Sequence, residues 1–423
     1  MAGSLEERAR LRLETNTRTA VQDGVTYRYT IPSPEAYLHQ WHWDSCFHAI
    51  VWASFDGERA RDELRSLVAR QLPSGLLPHV VYWDPAPISL WSGERLEAPG
   101  WSTLVRTPRT SGLMQPPVIA QALEEVAAED DEFVRELLPA VARHYRYLAN
   151  ARDPDGDGLV SIISQFESGL DFSPVFDPSP GERDPSPGRL RAIARGWQAL
   201  NKLCGNRPEL VFRLNPRHWE DVLVNSVYAD GLDSLARLAA QVGDNGVETW
   251  ARIAGARTRD ALLERCFDER HGLFFSLLGS RERRVEVKTV ESLMPLVVES
   301  LDAAVVARLV EHLAEPRSFW PRFPVPSVAL DEPSFTTEAV IAGQRCIWRG
   351  PCAPSTNWLL WRGLHRHGYD DLAGRLADSC RELAEAGGFN EFYDPVGGRP
   401  VGKGQFGWGT LPVVMGRTPP PRG

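Results

Sequence analysis

Apolar residues recur at three- and four-residue steps through most of the chain. Between 131 and 150 they fall at Phe133, Leu137, Leu138, Val141, Tyr145 and Leu148, which predicts an amphipathic helix. Residues 369–386 repeat this with Leu372, Leu376, Cys380 and Leu383, and Gly387-Gly388 supplies the stop. Similar stripes lie near 58–71, 117–128, 189–203, 219–242, 246–266, 290–300, 302–314 and 355–367. Together they predict roughly ten to twelve helices. Strand-like runs are few, and Leu76–Trp83 and Gly272–Leu278 predict short hairpins.

The segments between these helices are long. Stretches 72–116, 151–188 and 316–354 are rich in Pro, Gly, Trp and Asp, and loops of that length mean either unread elements or functional loops. An all-α, closed ring of helical hairpins, with long loops and short β-hairpins at one end, fits this layout. An open solenoid would show a fixed period of about 34–45 residues, which the sequence lacks. No linker or change of composition divides the chain. The expected organisation is one domain over 31–416, a lead-in over 1–30 and a frayed Pro-rich tail over 417–423.

Composition narrows the function. The 423 residues carry a net charge of −9 and no basic block, which argues against a nucleic-acid partner. No apolar run of membrane-spanning length occurs, and the N-terminus lacks the apolar core of a signal peptide. Six scattered cysteines without a Cys-x-x-Cys pair read as reduced thiols, so a cytoplasmic location is expected. Cys46, Cys266 and Cys380 read as small apolar core residues. Self-association is left open. Fourteen tryptophans are the compositional outlier; they crowd near 41–101 and 348–408, where flat aromatic faces are able to stack on sugar rings.

Two distant segments carry the chemistry. Glu167-Ser-Gly-Leu-Asp171-Phe-Ser-Pro174 and Gly388-Phe-Asn-Glu391-Phe-Tyr-Asp-Pro395 each set a carboxylate in a turn-rich, aromatic context. Glycosidic hydrolysis uses two such groups, one to protonate the leaving oxygen and one to activate water or attack the sugar. Asp171 is the candidate acid, because Leu170, Phe172, Val175 and Phe176 supply an apolar wall that keeps a carboxyl protonated. The alternative is a turn Asp bonded to its own backbone. Glu391, among Phe389, Phe392 and Tyr393, is the candidate base, or an ordinary loop Glu. Asp44 in Trp41-His-Trp43-Asp44 either caps a helix or accepts from sugar hydroxyls. Arg349 in Trp348-Arg-Gly-Pro351 either forks onto a ligand or pairs with a nearby acid. Gln115 and His79 are weaker signals, and His79 alone reads as well as a core histidine.

Two lookalikes carry no function. Asp153-Pro-Asp155-Gly-Asp157-Gly158 starts like a calcium loop but has Ser164 where the bidentate Glu belongs, and reads as a turn. Gly397–Gly404 approaches a phosphate loop but lacks the Ser or Thr for magnesium. No His-x-x-x-His cluster marks a catalytic metal, and no cofactor is called for.

These motifs, with Trp43–Ile50, Ser111–Pro117, Asp155–Val160 and Gly404–Trp408, occur in an order that resembles glycoside hydrolase family 63, especially its bacterial mannosylglycerate and glucosylglycerate hydrolases. The resemblance covers about residues 30 to 415 and implies an (α/α)6 barrel. It also implies an inverting α-glycosidase, without a metal in its chemistry, acting on a small soluble α-glucoside or α-mannoside. Asp171 takes the place of the acid and Glu391 that of the base. Tyr37, Trp41, Trp43, Asp44, His79 and Gln115 fall where the family lines its sugar pocket; Trp348, Arg349 and Trp408 are expected beside it. If the aglycone is acidic, Arg213 or Arg217 is available to hold it. The chain differs from the pattern at Phe172, Ile347 and Ala353, where the family has Asn, Tyr and Trp, so the aglycone stays open. A sugar epimerase on a similar barrel and a non-catalytic sugar-binding barrel are the alternatives.

Overall fold

The computed structural model describes residues 3–83, 110–177, 186–338, 340–341, 344–345 and 348–416. The predicted tail over 417–423, Cys346, Ile347 and the tryptophans at 91 and 101 lie outside them.

Among the described residues the helices are α1 (Leu5–Asn16), α2 (His42–Trp52), α3 (Gly57–Val68), α4 (Ile119–Ala127), α5 (Asp131–Ala151) and α6 (Pro187–Leu203). They continue with α7 (Pro208–Leu214), α8 (Val222–Val242), α9 (Asn245–Ala261), α10 (Ala303–Leu313), α11 (Pro354–Arg366) and α12 (Asp370–Gly387). Six elements follow one another around a closed path: α2, α4, α8, the 3-10 segment Val290–Val297, α11 and the 3-10 segment Trp408–Val413. Each packs on the next, and Trp408–Val413 packs back on α2. Outside them, α3 lies on α2, α5 on α4 and α8, α9 on α8, α10 on Val290–Val297, α12 on α11, and α1 on Trp408–Val413.

This layering explains the sequence pattern. The outer helices bury one stripe, as α12 does with Ala373, Leu376, Ala377, Cys380 and Leu383. Helix α2 is enclosed on all sides, and all of His42–Trp52 is buried. A helix buried all round shows no amphipathic period. Pro295 lacks an N–H, and the helix expected near 290–300 is a 3-10 stretch over Val290–Val297. The expected lead-in is structured: α1 buries Leu5, Ala9 and Leu13, and Thr17–Gln22 pairs with Val25–Thr30 across Asp23-Gly24.

The predicted hairpins need correction. Of 76–83 only Val80–Val81 is a strand, and it pairs with Gln40–Trp41, not with its own neighbours. In 272–278, Leu273–Phe274 pairs with Phe267–Asp268, while Leu277–Leu278 enters a four-stranded sheet between Trp219–Glu220 and Arg283–Arg284. Residues 272–278 thus do enter short local hairpins, one with 267–268 and one with 283–284, while Val80–Val81 and the other edge of Leu277–Leu278 meet strands far along the chain. The five described cysteines, Cys46, Cys204, Cys266, Cys352 and Cys380, are all buried and unpaired.

Candidate active site

Asp171 sits in a tight turn. Ser173 N–H donates to Leu170 O at 2.9 Å, placing Asp171 and Phe172 at the turn's centre. Phe172 has φ +62°, a conformation such turns normally give to Gly or Asn. Two residues before Asp171, Gly169, at φ +77°, lies against Trp43; a Cβ there would stand 2.6 Å from the indole. Glycine is required at that position by both the backbone and the contact. The loop is anchored by Glu167, fully buried, which receives both arms of Arg152 at 2.7 and 2.9 Å and the N–H groups of Met114 and Ile163. Burial, and next the charge of Glu391, push the Asp171 carboxyl up to about 7. Water still reaches it through the cavity, since its surface is not fully covered.

Glu391 lies on the strand Asn390–Tyr393, paired with Pro400–Gly404. The register shifts between Asn390 and Phe392, so Glu391 sits at an irregularity of the ladder. Such irregularities re-aim side chains. The residue is only 3% exposed. Tyr37 Oη donates to Oε1 at 2.9 Å and the Lys403 backbone N–H donates to Oε2 at 2.8 Å. Gly402, at φ +78°, makes room: a Cβ there would lie 2.6 Å from Oε2. Trp408 Nε1 donates to the Glu391 carbonyl at 3.0 Å. The two donors fix the orientation of the carboxylate.

Asp171 and Glu391 line one cavity of about 50 Å³, with room for a few waters. Tyr37, Trp41, Trp43, Asp44, His79 and Gln115 form part of its wall, and Trp348 and Trp408 another part. Gly169 and Phe406 complete the lining. The aromatic rings lock edge to face, as Trp43 does on Trp408 at 5.4 Å and Trp41 on His79 at 4.7 Å, giving a preformed wall. Burial pulls the His79 imidazole down to about 3, so it is neutral near pH 7.

Asp44 does not cap α2. The cap position is Trp41, without a side-chain bond, and Asp44 lies inside the first turn. Instead Gln115 Oε1 accepts from the Trp43 N–H at 3.0 Å, from a loop 72 residues away. Asp44 Oδ1 is buried and without a partner among the described residues. Burial, followed by the charge of Glu391, raises the Asp44 carboxyl well above its usual range.

Two expected ligands lie elsewhere. Arg349 is 1% exposed and forks onto Asp177 at 3.0 and 2.8 Å, with a third bond to the Phe172 carbonyl at 3.0 Å. Its guanidinium is thus committed to the structural pair that sequence left open, and it does not line the cavity. Arg217 stacks on Trp197 at 4.5 Å, also outside the lining, and Arg213 is exposed. Sequence reasoning missed Gly169, Phe406, Gly402 and Lys403. Gly402 and Lys403 belong to the phosphate-loop lookalike, where Gly402 makes room for Glu391.

In the calcium-loop lookalike, Asp153 accepts the N–H groups of Gly156, Asp157 and Gly158, which closes the turn. The carboxylates of Asp153, Asp155 and Asp157 lie within 4.8 Å of one another, and Arg265 Nε meets Asp157 at 3.1 Å.

The family model for the mannosylglycerate hydrolase MGH1-like glycoside hydrolase domain matches residues 37–409. The mannosylglycerate hydrolase of Rubrobacter radiotolerans is 30% identical over 418 residues, covering 90% of this chain and 91% of its own. That of Thermus thermophilus is 29% identical over 415 residues, covering 90% and 94%. A crystal structure of the family 63 mannosylglycerate hydrolase from Thermus thermophilus, in complex with Tris and D-glycerate, superposes with a TM-score of 0.83 at 28% identity, covering 97% of this chain and 99% of its own. The chain belongs to the mannosylglycerate hydrolase MGH1-like family of glycoside hydrolases, within glycoside hydrolase family 63.

Proposed function

We propose that this glycoside hydrolase cleaves a small α-glucoside or α-mannoside, of the glucosylglycerate or mannosylglycerate type, with inversion at the anomeric carbon. The six elements that close on themselves, each backed by an outer helix, support reading the scaffold as an (α/α)6 barrel. The observation that carries the mechanism is the pairing of two unlike carboxyl groups on one cavity. Asp171 is kept protonated near neutral pH by burial and by Glu391. Glu391 is held by hydrogen bonds from Tyr37 Oη and the Lys403 N–H.

Asp171 gives its proton to the glycosidic oxygen as the C1–O bond breaks. Glu391 takes a proton from the water that attacks C1 from the opposite face. The aromatic wall stacks on the sugar, and Asp44 Oδ1 is positioned to meet a sugar hydroxyl. Asp171 is thereby left ionised and Glu391 protonated, and exchange with solvent resets both. An epimerase would place paired bases at the cavity; among the described residues its lining includes one histidine, His79, held neutral.

We place the catalytic domain at 31–416, and the unpaired thiols fit a cytoplasmic setting. Among the described residues no helix is long and apolar enough to cross a membrane. A proton-NMR time course on glucosylglycerate and mannosylglycerate tests the proposal: β-sugar is expected first. First-formed α-sugar rejects inversion, and full activity in Asp171→Asn or Glu391→Gln rejects the assigned roles.

A further inference from the structure

The run Trp348–Cys352 touches both halves of the chemistry proposed above, and the inference rests on that reading. At one end, Cys352 exchanges backbone hydrogen bonds of 2.9 and 3.0 Å with Tyr393, two residues along the strand from Glu391. At the other, Trp348 lines the cavity while Arg349 turns away from it toward the acid loop. The run itself is fixed. Arg349 O accepts from Thr336 N–H at 2.7 Å, Gly350 N–H donates to Ser327 Oγ at 2.9 Å, and a Cβ on Gly350 would meet Thr336 O at 2.6 Å.

Arg349 meets the acid loop at its strained residue. Phe172 follows Asp171 and holds φ +62°, which a bulky side chain avoids. Its N–H donates to Gln165 Oε1 at 3.1 Å, and its carbonyl accepts from Arg349 Nη1 at 3.0 Å. Strain of this kind persists only where the surroundings over-determine it. Asp177, 4% exposed, holds the guanidinium by both oxygens. A planar fork is able to serve the carboxylate and the carbonyl together; an ammonium is a single point charge.

We infer that Arg349, held by Asp177, is a positioning residue that ties the turn of Asp171 to the strand of Glu391. It touches neither sugar nor water; it sets where the proton donor stands relative to the base. Inversion requires that the two carboxyl groups keep roughly 6.5–9.5 Å between them, so that a water fits.

The test separates acid positioning from general damage by changing the leaving group. Arg349→Lys and Asp177→Asn are assayed on whichever of glucosylglycerate and mannosylglycerate the wild type cleaves faster, and on the α-fluoride of the same sugar. With the fluoride the C1–F bond breaks without a donated proton, while the attacking water still yields its proton to Glu391. Arg349→Lys is expected to lose roughly 10- to 100-fold in kcat on the glycerate glycoside while staying within about threefold on the fluoride, since general acid catalysis is worth roughly 10²–10⁴-fold. The high-pH limb of its profile is expected to move with the displaced acid. Asp177→Asn, which keeps the shape of the pair, is expected to show the same split in weaker form. Equal losses on both substrates with unchanged Tm, or no loss on either, overturn the inference. If Arg349→Lys melts below the assay temperature, the Asp177→Asn split decides in the same way. Asp171→Asn runs alongside: it should lose the glycoside and keep the fluoride, and if it does not, the acid assignment fails, a failure distinct from that of the clamp.

Discussion

Tyr37 and Glu391 stand 354 residues apart in sequence, and Tyr37 Oη donates a 2.9 Å hydrogen bond to Glu391 Oε1. The bond fixes how the carboxylate faces the cavity, so removing it lets the base turn away from its water. Tyr37→Phe is therefore expected to lower kcat about tenfold, a fraction of what general base catalysis typically contributes. A kcat equal to that of the wild type refutes this coupling.

Asp171 works as an acid only while protonated, so its carboxyl near 7 sets an upper limit on activity. Activity is expected to fall as pH rises through about 7. The same group affects stability. Its folded pKa lies above the ordinary 3.8, so its contribution is fully present below about pH 4 and is lost as pH rises through about 7. Asparagine stays neutral throughout. Asp171→Asn is thus expected to gain about 1–2 kcal/mol over the wild type at pH 8, discounted for the water that reaches the group, and little at pH 4. Thermal melts at the two pH values check the sign.

Gly402→Ala places a methyl group 2.6 Å from Glu391 Oε2 at a φ of +78°. The base must move or the strand must shift. A stability loss of about 1–2 kcal/mol is expected from the left-handed backbone. Activity should fall by more than the melt explains, roughly 100-fold, because a displaced base misses its water. Activity on the fluoride should fall equally, since that substrate still needs the base.

Glu167 and Arg152 form a fully buried pair behind the acid loop, both 0% exposed. Removing one partner of such a pair strands the other charge and typically costs about 3–5 kcal/mol. Glu167→Leu is expected to show that loss in a denaturant titration. A change under about 1 kcal/mol would mean that Arg152 finds another partner or water.

Much of this molecule was legible in local pattern. The outer helices bury one stripe each, and their three- and four-residue period shows directly in the chain. Asp171 and Glu391 stood out because carboxylates set among aromatics and turn residues are unusual, and the tryptophans of the wall were visible as a cluster. What escaped is non-local. Helix α2 is enclosed on every side and has no stripe, so only its opening at Trp41–Asp44 could be read and not its length. The fate of Arg349 depended on Asp177, 172 residues away, and a guanidinium looks the same whether it faces a ligand or an aspartate. Asp44 was read as a possible cap because its position suits one, yet it lies inside the first turn, and the N–H of Trp43 goes to Gln115 from a distant loop. The Lys403 N–H that holds Glu391 is a backbone donor, which every residue except proline has, so no residue type announces it. Residue chemistry and period are properties of short segments; which donor meets which acceptor, and which side chain is left open toward the cavity, follows from how distant segments pack together.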